Sequence, residues 1–222
     1  MRWVYLLVAL LQPGLAGGAD IAIDVGHTLL NPGVISAAGI PEIEFNRKLA
    51  LAVARHLGNT GVSTRVINEE GNIGSLGERT AQAVKDRFFI SIHHDSVKQR
   101  YKPVTDPQFK GFSLWVSQLN IDFPGSVRCA TLIADQLLQA GFVPSHYHAD
   151  PVFGENRPVV DWGRGIFGNS NLSVLRTARG PAVLIEAGVI VNPAEEATLS
   201  DPAVVAKQSM AIAAGLKRCI SE

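Results

Sequence analysis

The sequence predicts an α/β fold, a single domain in which helices flank both faces of a largely parallel, twisted sheet. Short apolar runs alternate with amphipathic helical stretches along the chain, and this alternation is typical of parallel sheets that are covered on both sides. The 222 residues are enough for one domain with a sizeable core. No repeat and no linker-like tract separates a second domain.

Five short apolar runs are predicted to be buried strands, because they are rich in Val, Ile, Leu or Phe and lack the length of a helix. In chain order they span residues 20–24, 62–67, 87–93, 111–117 and 181–188. The third, RFFISIH, is followed at once by His94 and Asp95. A segment suited to burial therefore ends in side chains that bind protons or metal.

Four amphipathic stretches are predicted to be helices that connect or follow these strands. Apolar side chains recur at helical spacing within residues 44–61 and 126–141. Another helix begins at Ser75, because Glu78 follows it in the spacing of a capping box. The last begins at the Asp201–Pro202 pair, which is typical of a helix cap and first turn.

Two longer stretches, residues 97–110 and 142–172, have no clear periodicity and are predicted to be irregular. Loops of this length are uncommon in compact domains unless they serve a site. His146 and His148 allow two interpretations, an extra metal site or, more commonly, surface histidines. Three larger side chains suit either contact with a glycan or peptide or packing of the loop; they are Tyr147, Trp162 and Arg164.

Residues 1–19 have the layout of a secretory signal peptide, with Arg2, an apolar run and then small residues up to Ala19. The apolar run is far shorter than the ~20 residues needed to span a bilayer, and an N-terminal membrane anchor is the alternative interpretation. We therefore expect residues 20–222 to form an exported domain, periplasmic or secreted, without membrane contact after cleavage. The periplasm is slightly favoured, because no wall-anchoring module is visible.

The charge balance limits the classes of binding partner, and the cysteine content bears on the redox state of the compartment. Lys plus Arg and Asp plus Glu balance at 20 each, so no attraction to nucleic acid or to an anionic membrane is expected. An oxidising compartment permits a bridge between the two cysteines, Cys129 and Cys219. The alternative is a buried free thiol, because Cys129 lies on the apolar face of a predicted helix.

Ionisable side chains stand at the carboxyl ends of three predicted strands. His27 follows the first strand, His93 ends the third, and Glu186 stands near the end of the last. In an open parallel sheet, ligands bind beyond the carboxyl ends of the strands. A single histidine or glutamate there is usually a structural residue, and it is the coincidence across three strands that predicts a site.

Two histidines and a carboxylate suit a catalytic zinc ion, which takes three such ligands and leaves a fourth position for water. His27 and His93 supply two nitrogen ligands, and Glu42 and Glu44 are the candidates for the third. Glu186 would then act as a general base and later protonate the leaving amine. No HExxH motif is present, so distant parts of the chain must assemble the site.

Five blocks of the sequence occur in the order seen in the zinc-dependent N-acetylmuramoyl-L-alanine amidases. They are IAIDVGH, GIPEIEFNRKLALAVARHL, SLGERTAQA, FFISIHHDS and GPAVLIEAGVIVNPAEEATL, and the resemblance covers almost all of residues 20–217. It implies a single α/β catalytic domain with a Zn²⁺ cofactor. It also implies that His27, Glu42 and His93 bind the metal and that Glu186 is the catalytic glutamate.

The resemblance settles one ligand and implies the reaction. Glu42 rather than Glu44 matches the family's glutamate ligand, because it stands four residues before Asn46. The implied reaction is hydrolysis of the amide bond between N-acetylmuramic acid and L-alanine, in peptidoglycan or a muropeptide, with an activating protein as a further partner. Two alternatives stay open: a non-catalytic peptidoglycan-binding module, and a zinc peptidase that cuts another amide of the stem peptide.

The chain departs from the family pattern beside the implied metal ligands. Val25 and residues 28–30, TLL, stand where the family has a proline and a pair of glycines, which alters the floor of the groove. His94 and Asp95 replace a small residue and an amide. Because adjacent residues of a strand face opposite sides, we expect His94 to point away from the metal.

Overall fold

The computed structural model describes residues 17–98, 104, 108–152 and 154–222. The strands in this part are β1 (Ile21–Val25), β2 (Thr64–Ile67), β3 (Phe88–Asp95), β4 (Ser113–Val116), β5 (Val159–Asp161), β6 (Ile166–Gly168) and β7 (Ala182–Val189). The helices are α1 (Glu42–Gly58), α2 (Leu76–Gln82), α3 (Phe123–Gln139), α4 (Ser173–Thr177), α5 (Pro193–Ser200) and α6 (Pro202–Ser221). None of these helices is both long enough and apolar enough to cross a membrane. Most of the predicted signal peptide, residues 1–16, and much of the predicted loop 97–110 lie outside the described residues.

The strands form one sheet in the order β2–β1–β3–β7–β4–β6–β5. Parallel pairing joins β1 to both β2 and β3, β3 to β7, and β4 to β6. β4 is antiparallel to β7, and β5 is antiparallel to β6. The predicted α/β fold with a largely parallel sheet is confirmed.

The two faces of the sheet carry different side chains, because residues alternate sides along each strand. One face presents apolar residues such as Ile23 and Ile185 to α1, α3 and α6. The opposite face packs against α4, which in turn contacts α2. On this second face Asp24, Ser91 and Leu184 stand side by side in the strand register. Helices therefore flank both faces, as predicted, and the polar residues lie on the side of α2 and α4.

Four short elements are absent from the sequence-based prediction: β5, β6, α4 and α5. The segment 142–172, predicted to be irregular, holds β5, β6 and a 3₁₀ turn at Tyr147–Ala149. β5 and β6 have 3 residues each, too few for an alternating pattern to be recognised. α4 and α5 have 5 and 8 residues, so their helical period is repeated too few times to stand out.

The observed starts of α2 and α1 can be compared with the predicted ones. Ser75 Oγ accepts a hydrogen bond from the backbone N–H of Glu78 at 3.3 Å, which confirms the predicted cap of α2. α1 begins at Glu42, directly after Pro41, whereas the apolar pattern predicts a start at Glu44. The earlier start places Glu42 in the first turn of α1, where backbone N–H groups favour a negative charge.

Cys129 in α3 and Cys219 in α6 form a disulfide, with their Cα atoms 5.0 Å apart. Of the two expectations for the cysteines, the structure therefore shows the disulfide and not the buried free thiol. It joins two helices that pack on the same apolar face of the sheet. Disulfides form and persist in oxidising compartments, so the bridge agrees with the expectation of export.

Replacing both cysteines by alanine is expected to lower the free energy of unfolding by about 2–5 kcal/mol, the usual effect of losing a native disulfide. The residues that it joins are 90 apart in sequence, so the bridge restricts a long loop of the unfolded chain. Urea denaturation of the oxidised protein and of the double variant measures the change. Reduction of the wild type should reproduce it, and equal urea midpoints for all three samples would contradict it.

Candidate active site

Three side chains predicted as metal ligands converge although they come from distant parts of the chain. His27 follows β1, Glu42 opens α1, and His93 lies near the end of β3. Glu42 Oε1 is 3.0 Å from His27 Nε2 and 3.2 Å from His93 Nδ1. One ligand atom from each residue lies within 4.8 Å of the other two. Two imidazole nitrogens and a carboxylate oxygen at this separation fit a zinc ion with an open fourth position.

The choice between the two glutamates of α1 agrees with the geometry. Glu44 lies on the outer side of the helix, where its half-exposed carboxylate pairs with Arg47 at 2.9 Å. Glu42 is buried, and its Oε1 also lies 3.1 Å from Asn46 Nδ2. Burial on its own raises the pKa of the Glu42 carboxyl, but hydrogen bonds from His27 and His93 outweigh it and lower that pKa below its ordinary value. Glu42 is therefore held as a carboxylate, the form that binds metal.

His94 points away from the three converging side chains, as predicted from strand alternation. Its ring is buried, and its Nδ1 lies 2.8 Å from Asn46 Oδ1. Since an amide oxygen can only accept, Nδ1 is the donor in this bond. Burial lowers the pKa of His94 to about 4, so the ring is neutral at neutral pH. His94 therefore orients Asn46, which in turn donates to Glu42.

Glu186 lies beside His93, because the two residues are register partners on β7 and β3. Its Oε2 is buried and has no hydrogen-bond partner among the residues that the structure describes. Burial raises the pKa of the Glu186 carboxyl well above its ordinary value, and the charges of Asp95, Glu42 and Glu155 raise it further. A carboxyl group with a raised pKa beside His93, which itself lines a cleft, is suited to exchange protons with a bound molecule.

A cleft of about 340 Å³ opens next to these residues. His27 and His93 form part of its wall, and their side chains are 31% and 16% exposed, so a ligand can reach both rings. Much of the remaining wall is apolar and comes from the side of the sheet that carries α2 and α4; it includes Leu76, Leu172, Val174 and Leu184. The cleft thus offers an apolar surface beside a polar reaction centre, which is typical of small-molecule sites.

Among the residues that the structure describes, His146 and His148 belong to no cluster that could hold a second metal ion. His146 stacks on Trp162, with ring centroids 4.2 Å apart, and the interpretation as a surface residue fits it. That interpretation is wrong for His148, which is buried and places Nε2 2.7 Å from Asp95 Oδ2. Tyr147 is also buried, and its hydroxyl donates to the same Asp95 oxygen at 2.7 Å. The carboxylate at the end of β3 provides the partner that lets both side chains leave water.

Trp162 and Arg164, the other large side chains singled out in this segment, have different environments. Trp162 is 53% exposed, so its indole stays available at the surface. Arg164 pairs with Asp135 at 2.7 Å and with Asp161 at 2.9 Å, which fixes the segment to α3. Of the two interpretations weighed for these residues, packing of the loop applies to Tyr147 and Arg164.

Gly26 is needed for close approach of β1 to the ring of His93. A Cβ atom added there would lie 2.4 Å from both Cε1 and Nε2 of that ring. Gly26→Ala is therefore expected to displace His93 and to weaken zinc binding by about 10–100-fold, the range typical when support of a ligand is lost. Competition against a chromophoric chelator measures the affinity. Gly58→Ala is the matched control, because its added Cβ meets nothing within 4 Å, and equal zinc affinity in both variants would contradict the expectation.

Three side chains that organise the site were missed by sequence reasoning: Asn46 as a support of Glu42, and Asn68 and Arg79 as partners of the backbone at His27. Asn46 stands one helical turn after Glu42, so the sequence holds a weak signal for that pair. The spacing of Asn68 and Arg79 gives none, because both reach residues far away in the chain.

Comparison with known proteins places the chain in a family. A family model described as N-acetylmuramoyl-L-alanine amidase matches residues 21–218. The N-acetylmuramoyl-L-alanine amidase AmiC of Neisseria meningitidis is 25% identical over an alignment of 225 positions, which covers 90% of this chain and 52% of that protein. The chain thus spans about half the length of this relative.

Solved structures share the fold. The N-acetylmuramyl-L-alanine amidase Ami1 from Mycobacterium smegmatis superimposes with a TM-score of 0.75 at 24% identity, over 92% of this chain and 98% of that one. The CwlD amidase from Clostridioides difficile, solved in complex with the GerS lipoprotein, gives a TM-score of 0.69 at 16% identity over 92% and 99% of the chains. The match of the family model over residues 21–218 shows that the chain belongs to the N-acetylmuramoyl-L-alanine amidase family.

Proposed function

We propose that this protein is an exported zinc amidase that hydrolyses the amide bond between N-acetylmuramic acid and L-alanine in peptidoglycan or in muropeptides. The convergence of His27, Glu42 and His93, each with one ligand atom within 4.8 Å of the other two, carries this proposal. Membership of the amidase family supports the choice of reaction. The position of Glu186 beside His93 supports a hydrolytic rather than a purely binding site.

His27, Glu42 and His93 would hold the zinc ion. When bound, zinc lowers the pKa of a water molecule and polarises a carbonyl group. Glu42 contributes a carboxylate whose lowered pKa keeps it ionised, and Asn46 and Val34 hold its two oxygens through donated hydrogen bonds. This support lets the three ligands keep their geometry while a substrate enters and leaves.

Glu186 would move the proton. It takes a proton from the attacking water as the bond to the lactyl carbonyl carbon forms, and it then donates that proton to the amino group of the departing L-alanine. Its unpartnered Oε2 is free to hold the proton between the two steps. Burial and neighbouring negative charges, which raise its pKa, favour the protonated form that the second step needs.

Three further parts of the proposal concern the context of the reaction. Residues 1–19 would be removed as a signal peptide and residues 20–222 would form the catalytic domain in the periplasm or outside the cell. The disulfide between Cys129 and Cys219 supports an oxidising compartment. An activating protein is proposed as a partner. The CwlD amidase, which shares this fold, was solved in complex with a lipoprotein, and this supports the proposal.

A digest of purified peptidoglycan with the full chain, with and without a chelator, tests the function by mass spectrometry. The expected products are intact stem peptides with new L-alanine amino termini, and the chelator should abolish them. Shortened stem peptides would instead indicate a zinc peptidase. Uncut wall material that pellets with the protein would indicate a binding module, and either result would overturn the amidase.

A further inference from the structure

The backbone at His27 adopts a conformation that needs support. His27 has φ of +70°, in the left-handed region, which is uncommon for residues other than glycine even though Asn, Asp and His occupy it more often than the rest. Such a conformation is unfavourable for a residue with a side chain and persists only where the surroundings determine it. It is also the conformation that sends the imidazole toward Glu42 immediately after β1 ends.

Two side chains hold this backbone through the same carbonyl oxygens. The oxygen of His27 accepts hydrogen bonds from Arg79 Nη2 at 2.5 Å and from Asn68 Nδ2 at 2.7 Å. The oxygen of Val25 accepts from Arg79 Nη1 at 3.0 Å and from Asn68 Nδ2 at 2.7 Å. Arg79 and Asn68 therefore bind the peptide on both sides of Gly26 and fix the turn that carries His27.

Both side chains are themselves fixed before they reach His27. Arg79 is 2% exposed, and its Nε donates to the Ile73 oxygen at 2.9 Å. Asn68 is buried, and its Oδ1 accepts from Ile73 N at 2.9 Å. The planar guanidinium presents several donors in one rigid arrangement, which a lysine ammonium cannot reproduce. The backbone of Ile73 thus links the two side chains to each other.

The buried guanidinium of Arg79 contacts Asp24, but this ion pair is not its main interaction. Its Nη1 lies 3.4 Å from Asp24 Oδ1, a longer contact than either of its bonds to the carbonyl oxygens of Val25 and His27. Asp24 has a closer partner in Ser91, whose hydroxyl donates to Oδ2 at 2.7 Å. The shortest bond of Arg79 thus goes to the oxygen of His27, and a second joins it to the oxygen of Val25.

We propose that Arg79 and Asn68 are positioning residues that hold His27 in its left-handed conformation and so preorganise the zinc site. The inference rests on the proposed role of His27 as a zinc ligand. Neither residue belongs to the ligand cluster. Arg79 forms part of the cleft wall but is 2% exposed, and both residues act on His27 through the peptide backbone. Support of this kind typically changes metal affinity by about 10–100-fold.

The test measures the zinc dissociation constant of the full chain by competition against a chromophoric chelator. Arg79→Lys keeps the charge but loses the fork of donors. Asn68→Gly deletes the side-chain donor, and glycine tolerates the φ of +59° found at Asn68. We expect zinc affinity to fall about 10–100-fold in each variant.

Thr80→Val is the matched control, because Thr80 follows Arg79 in α2, is buried, and bonds to Thr177 Oγ1 at 2.9 Å instead of to the turn. It should lower the melting temperature and leave zinc affinity unchanged. If Arg79→Lys does not fold, Asn68→Gly decides the question. Wild-type zinc affinity in a folded Arg79→Lys or Asn68→Gly variant, or equal loss in Thr80→Val, would overturn the inference. A wild type that binds no zinc would instead contradict the proposed metal site.

Discussion

Replacing Glu186 by glutamine is expected to lower kcat by about 10²–10⁴-fold, the contribution typical of a general base, and to leave the zinc dissociation constant nearly unchanged. Glutamine has the shape of glutamate but cannot accept the proton of the attacking water. The side chain lies beside the ligand set and belongs to a different strand from His93, so its loss removes proton transfer without removing a ligand. The change therefore separates the proton carrier from the metal.

Turnover of a defined muropeptide, followed by chromatography, measures the effect of this change together with zinc content. Gln139→Glu is a suitable control for surface charge, because Gln139 ends α3 away from the cleft residues. A wild-type value of kcat in Glu186→Gln would contradict the proposed role of Glu186. Loss of zinc in the same variant would show instead that Glu186 supports the metal site.

The interior of the domain could be predicted because burial leaves a local signature. β3 and β7 are covered on both faces, so their sequences are almost continuous apolar runs. Parallel strands end at the same edge of a sheet, and that rule alone brings His93 and Glu186 together before any contact is known. The observed register, which pairs those two residues, agrees with this reasoning.

The third member of the cluster needed more than the local pattern. Glu42 and Glu44 are both acidic residues near the start of α1, and periodicity does not say which one faces the sheet. The family resemblance favoured Glu42, and the structure gives the physical reason. Only Glu42 turns inward toward His27 and His93, whereas Glu44 meets Arg47 at the surface.

The support of the site could not be predicted, because its partners are distant in the chain. Arg79 bonds to backbone oxygens 52 and 54 residues away, and a lone arginine in a short helix gives no sign of this. His148 can be buried because its ring bonds to Asp95, which lies 53 residues earlier at the end of β3. In both cases the side chain pairs with a group whose position is set by the completed sheet, and no spacing in the sequence encodes that position.

Replacing His93 by alanine is expected to remove both zinc binding and turnover. The variant loses one of two nitrogen ligands and also one of the hydrogen bonds that lower the pKa of Glu42. In the wild type, free zinc at 100 times the dissociation constant should stabilise the folded state by about 2.7 kcal/mol. For a domain of this size that corresponds to a rise in melting temperature of roughly 5–10 °C, and the rise should vanish in His93→Ala.

His146→Ala provides the matched control, since His146 stacks on Trp162 and stands outside the ligand cluster. It should keep the zinc-dependent rise in melting temperature and the turnover of the wild type. A zinc-dependent rise that survives in His93→Ala would contradict the assigned ligand set. The expected results for His93→Ala and Glu186→Gln differ in kind. Loss of His93 removes metal binding and reaction together, while loss of the Glu186 carboxylate lowers kcat and leaves metal binding nearly unchanged. That pair of outcomes requires two separate tasks in adjacent side chains, holding the metal at His93 and moving the proton at Glu186.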